Sequence, residues 1–332
     1  MRRKVALVTG CTGQDGSYLC ELLNDKGYEV HGIVRRSSVP QQRIPLLKNV
    51  KIHDGDMTDA FSIHRIIKDV SPSEIYNLAA QTHVGVSFKM PEYTRNVNEG
   101  GLLNVLEAVR QDFPDCRIYQ ASTSEMFGKV LETPQNENTE FNPISPYGVS
   151  KVAAHKTASY YRDYYGLYVA CGILFNHESP RRGEEFLTQK VIKAAVAISK
   201  GKQDKLELGN LSPKRDWGYA PEYVEAMWLM LQDDKPEDYV IATGISNTVR
   251  DFVRISFKLV GLGDYHQYVT SDVESEKRPA EVLTLRGDAS KARRMLGWWP
   301  ETNLENLIKI MIEAEREGEQ FSYESMKEYA KK

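Results

Sequence analysis

The sequence predicts an α/β chain in which a doubly wound parallel sheet carries a smaller, mixed α/β second domain. Three observations lead there. The first half alternates short apolar runs with helix-like spans, the stretch VTGCTGQDGSYL sets Gly10, Gly13 and Gly16 between such a run and such a span, and the texture changes after Phe175. Alternation of this kind builds a parallel sheet with helices on both faces.

The elements follow in order. KVALVTG reads as a strand, YLCELLNDKG as a helix, YEVHGIVR and KIHDGD as strands, IHRIIKDV as a helix and EIYNLAA as a strand. GLLNVLEAVRQDF is then a helix and RIYQAST a strand. The strand runs are nearly continuous in Val, Ile, Leu and Tyr, which suits strands covered on both faces, and their length and flanking glycines favour strand over buried helix. Beyond Phe175 come the loop NHESPRRGEEF, a helix TQKVIKAAVAISKG, a strand KLELGN and a returning strand DYVIAT. The expected division is a nucleotide-binding domain over 1–175 with returning segments at about 216–260, and a substrate domain over 176–215 and 261–332. The tail YESMKEYAKK reads as a solvated helix end, and no internal repeat is present.

With 332 residues, 41% hydrophobic and 27% charged, the chain is long enough for one large or two smaller cores. A formal net charge of -3 without a basic block argues against nucleic acid and anionic membranes as partners, so any phosphate it binds belongs to a small molecule. Cys11, Cys20, Cys116 and Cys171 form no CxxC pair and no metal-ligand spacing, so no metal is expected. The chain runs straight into its first strand and holds no apolar run near the roughly 18 residues of a membrane span, so a cytoplasmic, reduced location is expected.

GCTGQDG follows a strand and opens a helix, the context in which a glycine triad signals dinucleotide binding. Gly10 would allow the tight turn, Gly13 the approach of a pyrophosphate and Gly16 close helix packing, with Thr12, Gln14 and Asp15 beside them. The helix N-terminus would supply free N–H groups and partial positive charge. At the end of the second strand, NAD selectivity requires a carboxylate, whereas this chain offers Arg35, Arg36, Ser37 and Ser38. Two guanidiniums with two hydroxyls fit a 2′-phosphate, so NADP is expected. Asp56, with Met57, falls after the third strand and suits an adenine contact.

The second signal is SPYGVSK, in which Tyr147 and Lys151 are four residues apart and share a helix face. A free tyrosine is only about one part in a thousand phenolate at neutral pH. A neighbouring ammonium, together with a cationic nicotinamide, is expected to lower the Tyr147 pKa so that it serves as a base toward a substrate hydroxyl.

Through TGQDGSYL, EIYNLAAQTHV, ASTSEMFG, SPYGVSK, ILFNHESPRRGEEF, LGNLSPKRDWG and IATGISNTVRDFV, the chain resembles the extended short-chain dehydrogenase/reductases. Within them it is similar to the branch that dehydrates GDP-mannose. The resemblance implies a lyase that oxidises carbon 4 of a GDP-sugar, eliminates water across carbons 5 and 6, and delivers hydride to carbon 6 through tightly bound NADP. It implies Glu125 as the group that takes the carbon-5 proton and Thr123 as a hydrogen-bonding partner near carbon 4. Two residues apart at a strand end, these two are expected on one face.

The same resemblance implies NADP contacts from Leu78, Ala79, Ala80, Gln81, Thr82, Tyr93, Lys151, His177 and Arg182. Thr82 stands where serine is common in the family. Ser87, Asn176, Lys190, Arg215, Arg278 and Glu281 are expected to contact the GDP-sugar, the cations facing its diphosphate. NEGGLLNVLEAVRQ and PYGVSKVAAHKTASYYRDYY hold more apolar positions than one monomer face requires, so a homodimer or homotetramer is expected. The rival readings are a dehydratase of a related sugar such as GDP-mannoheptose and a non-catalytic NADP-binding regulatory protein.

Overall fold

In the computed structural model, residues 4–36, 47–271 and 281–318 are described; the predicted helix end YESMKEYAKK lies outside them. The first half builds β1 (Val5–Thr9), α1 (Gln14–Asp25), β2 (Glu29–Val34), β3 (Val50–Asp54), α2 (Ala60–Val70) and β4 (Glu74–Asn77). It continues through α3 (Val84–Lys89), α4 (Pro91–Arg95), a π turn Asn96–Gly100, α5 (Gly101–Asp112), β5 (Arg117–Thr123), a 3-10 turn Ser124–Met126 and α6 (Pro146–Tyr165). Then come β6 (Val169–Leu174), β7 (Asn176–Glu178), α7 (Leu187–Ser199), β8 (Leu206–Leu208), β9 (Lys214–Tyr219), α8 (Ala220–Met230) and β10 (Asp238–Ile241). The described chain closes with β11 (Ser246–Thr248), α9 (Val249–Leu259), β12 (Val269–Ser271), α10 (Ser290–Leu296) and α11 (Leu304–Glu317).

Seven strands form one parallel sheet in the order β10-β6-β5-β4-β1-β2-β3. Smaller sheets, β11-β9-β7 and β12-β8, stand beside it. The strand order reverses between β1 and β4, and the crevice beyond the strand ends there is where open α/β sheets take ligands. The predicted returning strand DYVIAT is β10, the outer strand next to β6.

Local chemistry sets the helices. On α2, Ile63, Ile66, Ile67 and Val70 form one buried stripe, and the Asp59 carboxylate caps the N-terminus by accepting from Phe61 and Ser62 N–H. Ser145 caps α6 through the Gly148 N–H, Pro146 opens it, and Gly166 ends it at φ 69°. The buried stripe of α6 carries Tyr147, Lys151, Ala154, His155, Ala158 and Tyr161 at helical spacing, so a lysine is drawn into the interior with it. The outer edge of β10 is covered by side chains: Val240 N–H donates to Glu137 Oε1 at 2.8 Å, and Lys291 Nζ donates to the Asp238 carbonyl at 2.8 Å.

One buried cation ties α1 to the chain beyond β7. Arg181, 1% exposed, donates to Ser17 Oγ at 3.0 Å and Glu21 Oε1 at 2.6 Å, with its guanidinium 3.9 Å from the Tyr18 ring centroid. Removing the charge would strand Glu21 and empty the space above Tyr18. Arg181→Met is expected to lower unfolding free energy by about 2–4 kcal/mol in urea titration. A loss below about 0.5 kcal/mol, the size of an exposed pair, would refute this role.

Candidate active site

The site begins where α1 meets β1. Gly10 is left-handed at φ +68°, and a Cβ there would lie 2.9 Å from Ala79 N at the end of β4. A Cβ on Gly16 would lie 2.2 Å from the Gly10 carbonyl oxygen, so α1 could not approach β1 with any larger residue. No side chain caps α1, whose N-cap is Gly13, and its N-terminal pole faces the crevice. Below the loop, Thr9 Oγ1 donates to Asn77 Oδ1 at 2.8 Å and accepts from Leu78 and Ala79 N–H at 3.1 and 3.0 Å.

Gln14 and Asp15 reach across to the segment around β7. Gln14 Nε2 donates to the His177 carbonyl at 3.1 Å, and its Oε1 accepts from Ser179 Oγ at 2.9 Å. His177 Nε2 lies 2.9 Å from Asp15 Oδ2, its Nδ1 lies 2.7 Å from the Phe175 carbonyl, and Tyr223 stacks on its ring at 4.6 Å. Both ring nitrogens thus face acceptors, which only the imidazolium satisfies. Burial lowers the His177 pKa, but Asp15 and the Phe175 carbonyl outweigh it and the net direction is up. Burial raises that of Asp15, yet His177 and Gln14 carry it below the ordinary carboxylate range.

Tyr147 and Lys151, 7% and 4% exposed, project from α6 toward the end of β5. Lys151 Nζ donates to the Ala121 carbonyl at 2.8 Å and sits 6.0 Å from the Tyr147 ring centroid. Burial pushes Lys151 down to about 8. Burial also pushes the Tyr147 phenol up to about 12, against the pull of a hydrogen bond with Thr123 and the charge of Arg182, while Glu125 and Asp15 add to the rise. The protein's own groups therefore do not lower Tyr147, and the expected lowering rests on the nicotinamide charge as well. The ammonium is turned to a backbone carbonyl and the phenol is enclosed, so desolvation exceeds the local cations.

The route to Glu125 also differs from expectation. β5 ends at Thr123, and Glu125 stands on the 3-10 turn Ser124–Met126, not on a strand face. Thr123 Oγ1 caps that turn by accepting from Glu125 N–H at 3.3 Å. The turn, in place of strand alternation, brings Thr123, Glu125 and Tyr147 into one electrostatic cluster with Asp15 and Arg182. Arg182 Nε lies 3.1 Å from the buried Glu178 Oε2, off the hydrogen-bond direction, and its guanidinium sits 3.7 Å from the Phe186 ring centroid.

Other predicted residues spread along the crevice. Arg35, Arg36 and Asp56 line a cavity of about 260 Å³ with Asp54, Asp59 and Ser62, and Arg35 donates to Tyr93 Oη. Asp56 Oδ1 is engaged by Thr58, while Met57 is buried against Gly101. Ser37 and Ser38 lie outside the described residues, as does Arg278. After β4, Ala80 is half-buried and Thr82 exposed. Gln81 is held by Asn98, whose Oδ1 accepts its N–H at 2.9 Å and whose Nδ2 donates to its carbonyl at 3.2 Å. Thr9 and Asn98 were not predicted; the only signal for Asn98 is its place in the π turn.

On the smaller lobe, Asn176 opens β7 with its Oδ1 buried and without a hydrogen-bond partner. Lys190 is exposed on α7, Arg215 is half-buried on β9, and Glu281 Oε2 accepts from Asn210 Nδ2 at 3.2 Å. Ser87 is fully enclosed, its hydroxyl donating to the Val84 carbonyl at 2.6 Å. Away from the crevice, His155, Cys171 and Asp238 place potential ligand atoms within 4.8 Å of one another, but Arg162 holds both Asp238 oxygens at 2.7 and 3.2 Å. That cluster is an ion-pair network under β5, closed on the other side by Ser122 Oγ at 2.9 Å from His155 Nδ1.

The Asp15–His177 pair predicts a pH dependence. With a raised His177 pKa, its stabilisation is complete below the unfolded value of about 6.5 and is lost as pH rises through the folded value. With a lowered Asp15 pKa, its share is present above about 3.8 and is lost as pH falls further. The stability difference between wild type and His177→Gln, measured by urea unfolding, should therefore be largest at pH 5–6 and shrink toward pH 9. A difference that does not change with pH would overturn the ion-pair assignment.

Known proteins are similar to this chain along nearly its whole length. The family model for GDP-mannose 4,6 dehydratase matches residues 7–311. GDP-mannose 4,6 dehydratase 1 of Arabidopsis thaliana is 52% identical over 329 residues, covering 95% of this chain and 90% of that protein. The Homo sapiens GDP-mannose 4,6 dehydratase is 47% identical over 347 residues, covering 95% and 92%. Among solved structures, UDP-glucose 4-epimerase of Thermus thermophilus in complex with NAD superposes with a TM-score of 0.83 at 25% identity, over 94% of this chain and 99% of that one. With sequence identity near one half along almost all of its length, and a fold that places Tyr147, Lys151 and Glu125 at the same crevice, the chain belongs to the GDP-mannose 4,6-dehydratase family.

Proposed function

We propose that this chain dehydrates GDP-mannose to GDP-4-keto-6-deoxymannose with the aid of tightly bound NADP. The observation that carries the reading is the cluster of Glu125 with Thr123 and Tyr147: an epimerase or reductase needs the Tyr/Lys pair, but elimination of water also needs a carboxylate at the reacting carbons. That requirement disfavours a non-catalytic sensor.

The residues fit a dinucleotide. The glycine loop leaves no room for a Cβ at Gly10 or Gly16, and the α1 N-terminus carries no side-chain cap. Arg35 and Arg36 flank the cavity at the far end, which supports a 2′-phosphate and hence NADP over NAD. When bound, the oxidised nicotinamide supplies the hydride acceptor and a positive charge that opposes the effect of burial on Tyr147.

The side chains then divide the proton work. Tyr147 takes the proton of the carbon-4 hydroxyl, with Thr123 fixing the phenol oxygen. The carbon-4 ketone acidifies the carbon-5 C–H. Glu125 removes that proton, the carbon-6 C–O bond breaks, and the protonated carboxyl returns its proton to the departing hydroxyl as water. Carbon 6 then gains the hydride, and a proton equivalent to the one Tyr147 took restores carbon 5. Asn176, Lys190, Arg215, Arg278 and Glu281 serve the GDP portion, and the buried unpartnered Asn176 oxygen supports a donor arriving there from the ligand. Ser87, fully enclosed, would contribute through its helix more than by sugar contact.

In the same reading, 1–175 with about 216–260 forms the nucleotide lobe, and 176–215 with 261–332 the sugar-nucleotide lobe. Leu103, Val149, Tyr160, Tyr164 and Tyr165 are 41–76% exposed on α5 and α6, which supports helix-to-helix pairing into a homodimer or homotetramer. No helix among the described residues is long and apolar enough to cross a membrane, and a cytoplasmic location belongs to the proposal.

Two outcomes test the reading. GDP-mannose carrying deuterium at carbon 4 should yield product labelled in its methyl group, and Glu125→Gln should lower turnover at least a hundredfold while leaving nucleotide binding within threefold; label lost to solvent, or an active variant, would refute it. The paired change Arg35→Ala and Arg36→Ala should weaken NADP at least tenfold in calorimetry, in line with the loss of about 1.5–3 kcal/mol per charged hydrogen bond, and leave NAD nearly unchanged. Equal losses for both coenzymes would remove the 2′-phosphate assignment.

A further inference from the structure

A second cationic cavity lies behind β9, apart from the crevice. Thr243, Gly244, Arg286, Gly287, Asp288 and Arg293 line about 400 Å³. Its floor is built by Asp216, whose fully buried carboxylate accepts from Thr243 N–H and Gly244 N–H, both at 2.9 Å, and from Gly287 N–H at 3.2 Å. Successive residues of a strand project to opposite faces, so Asp216 points away from Arg215, its neighbour and an expected GDP contact. The cavity and the nucleotide-sugar site are therefore on opposite sides of β9.

Two guanidiniums converge on this space. Arg286 Nε donates to the Gly244 carbonyl at 3.0 Å, and Arg293 Nη2 reaches the Thr243 carbonyl at 3.4 Å. Neither forms an ion pair with a carboxylate among the described residues. The Arg293 Nε is buried and has no hydrogen-bond partner, an arrangement that proteins rarely leave unmet. The terminal nitrogens of Arg286 face no protein acceptor among the described residues. Trp299, 62% exposed, lies 4.9 Å from the Arg293 guanidinium and holds it from the outer side. Asp288 is the one carboxylate in the lining; its Oδ1 is engaged by Ser290, and the two arginines favour its ionised form.

We propose that this cavity is a binding site for a small phosphoryl anion of about diphosphate size, held by Arg286 and Arg293. Forked guanidinium donors match phosphoryl oxygens, the volume exceeds that of one phosphate, and the two guanidiniums outnumber Asp288 in the lining, while the Asp216 carboxylate beneath is turned to three backbone N–H groups. Such a ligand would bear on β9 through the Thr243–Gly244 turn and Gly287, the groups that Asp216 grips.

Inorganic pyrophosphate is the probe, titrated calorimetrically into the full chain with GDP at saturation to keep the nucleotide-sugar site filled. Wild type should bind saturably. The double variant Arg286→Met with Arg293→Met should bind at least tenfold more weakly. Asp288→Asn, which keeps the cap on Ser290 but removes the opposing charge, should bind severalfold more tightly, a change that misfolding cannot imitate. The proposal falls if wild type shows no saturable binding under GDP, if the double variant binds as wild type does, or if Asp288→Asn gains nothing.

Discussion

How near the first helix can come to the end of the first strand governs the whole site. Gly16 lies against the Gly10 carbonyl and Gly10 against Ala79, at distances that leave no room for a methyl group. Because α1 is seated this deeply, Gln14 and Asp15 reach His177 and Ser179, and Ser17 and Glu21 reach Arg181. The contact therefore does two things at once. It presents a bare helix N-terminus to the crevice, and it joins the large sheet to the segment around β7 that holds the proposed sugar-nucleotide contacts.

Burial reorders the acids around the crevice. In water a tyrosine and a lysine titrate within about half a unit of each other. Here the amine is lowered to about 8 and the phenol raised to about 12, so the lysine gives up its proton first. Desolvation disfavours the charged form of both, and for these two groups that means opposite directions. The Ala121 carbonyl accepts a hydrogen bond from the amine whether or not it is charged, so the position of Lys151 does not depend on its protonation. Asp15 and His177 form the contrasting case, in which mutual attraction exceeds the cost of enclosure.

The parallel sheet was legible because strands covered on both faces leave continuous apolar runs, and the dinucleotide loop because a helix packed on a tight turn must be glycine at fixed spacing. Tyr147 and Lys151 were legible because helical periodicity puts them together. What sequence spacing could not convey was burial. It set the direction of the Tyr147 shift, and it separated Arg181, fully enclosed against Tyr18, from its neighbour Arg182 at the crevice. Glu125 was placed on a strand face when it stands on a turn, since a strand ending at Thr123 and one ending two residues later have the same local composition. Asn98 escaped notice because a single widened helical turn leaves no compositional trace.

The covering of β10 by Glu137 and Lys291 has a consequence for how copies of this chain can meet. A bare outer strand offers donors and acceptors in a row, to which a foreign strand can zip. With an N–H and a carbonyl of that row already engaged by side chains, growth of the sheet from one molecule into the next is blocked on this flank. The helix pairing proposed above needs no strand edge, and contact of that kind ends at a finite particle instead of running on into a fibre.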